Sequence, residues 1–169
     1  QAWVADQLVT YKVIFFRDQN ISAQQHLDFA RQFGRLETHP VNPKEGFPEL
    51  LVLHNDSDRP PSDTAIWHSD VTWRPQPSLG SILIARKVPE IGGDTLFANM
   101  EAAYEGLNDS VRAAIDERRA VHRFEPMRQY LLQTGADTEQ MAKFEKKYPA
   151  VTHPIVRTHP VTGRKSIYV

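Results

Sequence analysis

The stretch that decides the fold is IWHSDVTW, Ile66–Trp73, together with the segment GSILIARKVPEIGGDTLFANMEAAYEGL that begins at Gly80. A histidine, one spacer and an aspartate lie here between two tryptophans. With 7 histidines in 169 residues, a chance His-x-Asp is unremarkable, and the chain contains three of them. The tripeptide alone is therefore weak, and the surrounding sequence must choose among the copies.

The first copy, His26-Leu27-Asp28, falls in a predicted helix. SAQQHLDFARQFG begins with Ser22, which can cap a helix with Gln25 as the partner of a capping box, and ends at Gly34. On a helix, residues i and i+2 are about 200° apart, so the two side chains face opposite ways. This pair is rejected as a metal chelate.

The other two copies lie in segments of strand-type residues, and on a strand residues i and i+2 share a face. His54 and Asp56 run directly into the polar loop SDRPPSD, which favours a solvated strand end. His68 and Asp70 lie between aromatic residues that could wall off a dry pocket. From the residues alone, a ligand pair and an accidental pair are equally supported at His68 and Asp70.

Composition limits the kinds of site. The chain is 40% hydrophobic and 24% charged with a formal net charge of -1, as expected for an ordinary globular domain rather than a nucleic-acid binder. No apolar run approaches the roughly 20 residues that cross a membrane. The absence of cysteine excludes disulfides, thiolate metal sites and a cysteine nucleophile, so any metal must use His, Asp or Glu. A cytoplasmic location is the default expectation.

Periodicity and turn residues predict a β-rich domain with helical insertions. The predicted strands cover residues 11–19, 49–56, 66–73 and 80–88, and a strand–turn–strand unit covers 153–169. Besides the helix at 22–34, helices are predicted after Asn99, near 109–119 and at 137–148.

The ordered set WHSDVTW, GSILIARKV and GGDTLFANMEAAYEGL resembles the taurine dioxygenase family, which includes (2,4-dichlorophenoxy)acetate dioxygenases. YKVIFFRDQ, FGRLETHPV and HPIVRTHPVTGRKSIYV extend the resemblance over nearly the whole chain. The family implies a mainly β fold, a double-stranded β-helix or jelly roll with helical insertions. It also implies an Fe(II)-dependent dioxygenase that uses O2 and 2-oxoglutarate to hydroxylate a small anionic substrate, releasing succinate and CO2.

The resemblance also implies roles for individual residues. His68 and Asp70 match two ligands of the iron, which is held by two histidines and a carboxylate. Thr95 matches the threonine that binds the distal carboxylate of 2-oxoglutarate. His39 matches a histidine that contacts the anionic group of the substrate, and Thr64 falls at a polar substrate contact. Asn42 stands where taurine-specific members have a tyrosine, so the resemblance leaves four substrate classes open: taurine, another sulfonate, an alkyl sulfate or a carboxylate.

Two features of the family pattern lie outside the sequence. The distal histidine ligand and the arginine that clamps 2-oxoglutarate would follow Val169, and an early strand would precede Gln1. Residues 1–169 are therefore expected to be a single but incomplete oxygenase domain, with an incomplete jelly roll, and to be inactive alone.

Two other functions remain open. One is a zinc-type hydrolase in which His39 or His54 completes a site with His68 and Asp70, and the other is a non-catalytic jelly-roll binding module. In every case we expect a small-molecule partner and neither nucleic acid nor membrane as a partner. Each case is compatible with a homo-oligomer.

Overall fold

The computed structural model describes residues 2–38, 43–55 and 66–169. The chain divides into two compact units, Gln1–His68 and Ser69–Val169. Within the described residues there are six helices and six short strands, and the strands form three separate antiparallel pairs. No helix in this part of the chain has the length and apolarity to cross a bilayer. That both units belong to one oxygenase domain stays a prediction.

The first unit contains two helices and one hairpin. Helix α1 was not predicted from the sequence. Helix α2 lies where the sequence predicts a helix, and β2 overlaps the predicted strand 49–56 only at residues 49–51. The hairpin turns at Gly46, whose φ of 74° is a conformation that glycine adopts without a steric penalty. The elements are α1 (Ala2–Tyr11), α2 (Ala23–Arg31), β1 (Pro43–Lys44) and β2 (Phe47–Leu51).

Helix α2 begins as its sequence predicts. The backbone N–H of Gln25 donates to Oγ of Ser22 at 3.1 Å, and the backbone N–H of Ser22 donates to Oε1 of Gln25 at 2.8 Å. The two bonds satisfy two backbone donors that a helix start would otherwise leave unpaired. Leu27 is buried, and Arg31 lies 3.6 Å from Glu49 on β2. The capping-box prediction is confirmed.

The second unit contains four helices and two hairpins. Strands β3 and β4 pair with Ala120 opposite His153, and β5 and β6 pair with Arg157 opposite Ser166. The predicted late strand–turn–strand unit is confirmed, and its turn passes through Gly163 at φ 69°. The elements are α3 (Met100–Glu105), α4 (Asp109–Ile115), β3 (Arg119–His122), α5 (Glu125–Gln133), α6 (Thr138–Lys147), β4 (Val151–Pro154), β5 (Val156–Thr158) and β6 (Lys165–Ile167).

Aromatic side chains form the core of the second unit. Trp73 stacks on Phe124 with ring centroids 4.5 Å apart and an interplanar angle of 9°. Tyr148, which follows α6, packs edge-on against both rings at 5.3 and 5.5 Å. Phe144 adds a tilted contact with Tyr148. These contacts join α6, the turn at Trp73 and the residue before α5.

Three predicted strands are wrong in the described residues. In the predicted strand 11–19, Tyr11 ends α1 and the other residues form no regular element, and residues 66–73 and 80–88 form none either. Large apolar side chains in these segments stay exposed, such as Leu83 at 71%. A strand exists only where a second strand completes its hydrogen-bond ladder, and apolar sequence alone does not supply that partner. The mainly β prediction is corrected accordingly: this part of the chain combines helices with three small sheets.

Candidate metal site

His68 is the last residue of the first unit. Its ring nitrogen Nδ1 lies 2.8 Å from the carbonyl oxygen of Ile66. A carbonyl only accepts hydrogen bonds, so Nδ1 carries the proton and the ring's lone pair is on Nε2. Histidines that bind metals through one nitrogen commonly donate from the other to a carbonyl or carboxylate. The tautomer of His68 is therefore the one that suits a metal ligand.

Asp70 lies in the second unit, at the start of a turn that runs to Trp73. The hydroxyl of Ser81 donates to Oδ2 of Asp70 at 2.9 Å. Metal-binding carboxylates commonly have an outer hydrogen bond of this kind, which orients them.

The strand predicted around the two residues is not formed, so the argument that a strand points both side chains to one face does not apply. His68 lies in an irregular segment, and Asp70 begins a turn. In that turn the backbone N–H of Arg74 donates to the carbonyl of Val71 at 3.0 Å. A ligand can lie on a turn as well as on a strand, but the direction of its side chain then depends on the contacts that hold the turn.

Thr95, predicted to bind 2-oxoglutarate, is exposed in an irregular segment of the second unit. It follows two glycines, Gly92 and Gly93, with φ values of 78° and 77°. Both are in the left-handed region that other residues rarely adopt, so the turn before Thr95 depends on them. Four residues later Asn99 caps α3, accepting from the backbone N–H of Glu101 and of Ala102.

The remaining predicted site residues have different outcomes. His39 and Thr64 lie outside the described residues, as do Asn42 and Asp56. No three His, Cys, Asp or Glu side chains of the described segments form a group that could hold a metal ion. His54 therefore does not complete a three-ligand site with His68 and Asp70 in this structure.

The structure adds two residues that the sequence did not indicate. Ser81 was predicted only as part of a strand, yet its hydroxyl contacts Asp70. His153 was predicted only as part of a strand–turn–strand unit, yet its Nε2 lies 2.9 Å from the carbonyl oxygen of Thr72 and 3.1 Å from that of Arg74. The only signal for Ser81 was its place in the quoted motif, and nothing in the sequence indicated the long-range contacts of His153.

A buried cluster of ionisable rings lies next to this turn. His122 and His153 meet edge-on at 4.9 Å, and Tyr168 stacks on His122 at 5.3 Å. Burial lowers the pKa of His122, with repulsion from His153 and Arg157 acting in the same direction. Burial also raises the pKa of the Tyr168 hydroxyl. Burial thus favours the neutral form of each group.

Comparison with known proteins gives a consistent family. The sequence model described as "Taurine catabolism dioxygenase TauD, TfdA family" matches residues 1–169. A (S)-phenoxypropionate/alpha-ketoglutarate-dioxygenase from Sphingobium herbicidovorans is 33% identical over 165 residues, covering 94% of this chain and 58% of the relative. An alpha-ketoglutarate-dependent sulfate ester dioxygenase from Pseudomonas putida is 33% identical over 166 residues, covering 95% and 54%.

Solved structures agree. The crystal structure of AAD-2 in complex with Mn(II) and N-oxalylglycine matches with a TM-score of 0.70 and 33% identity, covering 99% of this chain and 57% of that one. The chain thus spans about half the length of the relatives that it matches.

Proposed function

The chain belongs to the taurine catabolism dioxygenase TauD, TfdA family, and we propose that it is part of an Fe(II)- and 2-oxoglutarate-dependent dioxygenase acting on a small anionic organic molecule. The observation that carries the proposal is the state of His68. Its Nδ1–H donates to the Ile66 carbonyl, which is the arrangement in which a neutral imidazole binds a metal through Nε2.

His68 and Asp70 would supply two of the ligands of the iron. An imidazole and a carboxylate are donors that Fe(II) accepts, and Ser81 orients the carboxylate by its hydrogen bond to Oδ2. Bound there, the iron would supply oxidation of the substrate by O2, with 2-oxoglutarate consumed to succinate and CO2. The part of this chain is to hold, orient and support the ligands.

Thr95 would bind 2-oxoglutarate. A threonine hydroxyl donates one hydrogen bond, and the distal carboxylate of 2-oxoglutarate is a charged acceptor, so the contact is of the stronger kind. The exposure of Thr95 leaves its hydroxyl accessible from solvent. The paired glycines before it fix where the backbone enters this segment.

The substrate would be a sulfonate, an alkyl sulfate ester or a phenoxyalkanoate. The names of the relatives cover a sulfate ester and a phenoxypropionate, both of which carry an anionic head group. His39, in its protonated form, would pair with that group, and Thr64 would add a polar contact. Because Asn42 replaces the tyrosine expected of taurine-specific members, a substrate other than taurine is favoured.

The test uses the full-length protein with Fe(II) and 2-oxoglutarate, and a panel of an alkyl sulfonate, an alkyl sulfate and a phenoxyalkanoate. We expect at least one substrate to accelerate O2 uptake, with succinate formed in equal amount. Two results would overturn the proposal: zinc-supported hydrolysis of a panel member without O2 uptake, or no succinate from any member with iron bound.

A further inference from the structure

The turn that carries Asp70 contains a residue in an unfavourable conformation. Val71 has φ 47°, in the left-handed region, although valine is branched at Cβ. Branched side chains are sterically disfavoured there, so this backbone persists only where surrounding contacts hold it. Such a residue next to a proposed ligand raises the question of which contacts hold the turn.

His153 provides the first of these contacts. It lies on β4, is 6% exposed and is fixed by its ladder position opposite Ala120. Its Nε2 lies 2.9 Å from the carbonyl oxygen of Thr72 and 3.1 Å from that of Arg74. Both carbonyls can only accept, so one N–H of the imidazole donates to the carbonyls of two turn residues that are two positions apart.

Trp73, between those two carbonyls, provides the second contact. Its ring stacks on Phe124 with centroids 4.5 Å apart. The guanidinium carbon of Arg74 lies 4.7 Å from the centroid of the Trp73 ring. Packing therefore holds the side chain of Trp73, while His153 holds the carbonyls of Thr72 and Arg74. Ser81 holds the Asp70 carboxylate itself.

We propose that His153 is a positioning residue for Asp70, acting through the backbone of residues 71–74. This proposal rests on the proposed function for the role of Asp70. The hydrogen bonds from His153 select the strained turn, and the turn sets the direction in which the carboxylate leaves the chain. Outer supports of this kind commonly change metal affinity by about 10- to 100-fold when removed.

The experiment compares two variants of the full-length protein. H153F keeps an aromatic ring against His122 and Tyr168 but has no N–H for the two carbonyls. H153Q gives up the ring but places an amide N–H at a similar reach. H159F is the matched control, because His159 accepts from the backbone N–H groups of Val161 and Thr162, in the β5–β6 turn.

The first readout is Mn(II) affinity, measured by titration with electron paramagnetic resonance, and the second is backbone hydrogen exchange of residues 70–76. We expect H153F to weaken Mn(II) binding about tenfold or more and to speed exchange in the turn. Exchange in β3 and β4 should stay protected. H153Q should recover most of the affinity, and H159F should bind Mn(II) as the wild type does.

Unchanged Mn(II) affinity in H153F would overturn the proposal, and so would equal losses in H153Q and H153F. If H153F does not fold, H153N takes its place, since its amide is too short to reach both carbonyls. Failure of the wild type to bind Mn(II) would instead count against the proposed function, and exchange in the turn would then decide by itself whether His153 holds it.

Discussion

At the scale of single residues, the proposed chemistry depends on which atoms carry protons and which carry lone pairs. His68 donates through Nδ1 and so presents Nε2, and Asp70 accepts through Oδ2 from Ser81. Each ligand is thus supported by one neutral partner of its own unit. Outer supports of this kind fix the orientation of a metal ligand.

Thr95→Val tests the 2-oxoglutarate contact. The change keeps the shape of the side chain and removes its hydroxyl, so the loss should be about 1.5–3 kcal/mol, the magnitude of a hydrogen bond to a charged group. We expect the KM for 2-oxoglutarate to rise by roughly 10- to 100-fold while the KM for the organic substrate changes little. Steady-state kinetics of the full-length protein would measure both.

Thr10→Val is the control, because the Thr10 hydroxyl donates only to the carbonyl of Asp6 in its own helix. If Thr95→Val instead left the KM for 2-oxoglutarate unchanged and raised the KM for the organic substrate, Thr95 would belong to the substrate site and not to the 2-oxoglutarate site.

Residue identity in the site was predictable only in part. The rejection of His26 and Asp28 needed no tertiary information, because helix geometry separates them, and α2 does include both. The contacts of Ser81 and His153 with the turn could not be predicted. His153 bonds to carbonyls 79 and 81 positions away, and any residue type offers the same carbonyl acceptor.

At the scale of elements, helices that begin with a capping side chain could be predicted from the sequence, whereas α1 and α5 were not predicted. Ser22, Asn99 and Asp137 each accept a hydrogen bond from the backbone of the helix that follows. Such caps depend on residues three positions apart, so they can be read from the sequence. Strands depend on distant partners, and the three segments predicted wrongly as strands show that limit.

Asp137→Ala tests the cap of α6. Oδ1 of Asp137 accepts a hydrogen bond from the backbone N–H of Gln140 at 2.8 Å. Oε1 of Gln140 accepts one from the backbone N–H of Asp137 at 2.9 Å. Removing the acceptor should lower the free energy of unfolding by about 1 kcal/mol. Urea denaturation would measure the loss.

Asp137→Asn should restore most of that stability, since asparagine caps a helix about as well as aspartate. Equal losses in the two variants would show that the carboxylate acts through its charge and not as a cap.

The β3–β4 pair carries a pH dependence that follows from His122. Its pKa is lowered from 6.5 mainly by burial, so near that pH the folded chain binds fewer protons than the unfolded chain. The free energy of unfolding should therefore fall as pH drops from about 7.5 to about 5.5, and level off below the folded pKa. H122F, which keeps a ring against Tyr168, should show a smaller fall.

Urea denaturation at the two pH values would measure the difference, with H159F as the control histidine. Asp116 does not interfere in this range. The hydrogen bond from Lys165 lowers its pKa below 3.8, so its contribution is lost only at more acidic pH. An identical pH dependence in H122F and wild type would contradict the assignment to His122.

At the scale of the whole molecule, the chain belongs to the taurine catabolism dioxygenase TauD, TfdA family, whose sequence model covers residues 1–169. The chain corresponds to about half of each relative, and the described residues hold no three-ligand metal group. The resemblance seen in the sequence therefore identified the family correctly. The architecture was harder to predict, since sheets join segments that are distant along the chain.

The measurement that tests the central claim most directly is Fe(II)- and 2-oxoglutarate-dependent O2 uptake by two matched variants of the full-length protein. Asp70→Asn removes the charge of the proposed ligand. Asp28→Asn makes the same change in the rejected copy of the tripeptide, where the carboxylate pairs with Arg31 on the surface of α2. We predict that Asp70→Asn loses activity by on the order of 100-fold or more, while Asp28→Asn keeps it. Near-normal O2 uptake by Asp70→Asn would contradict the account.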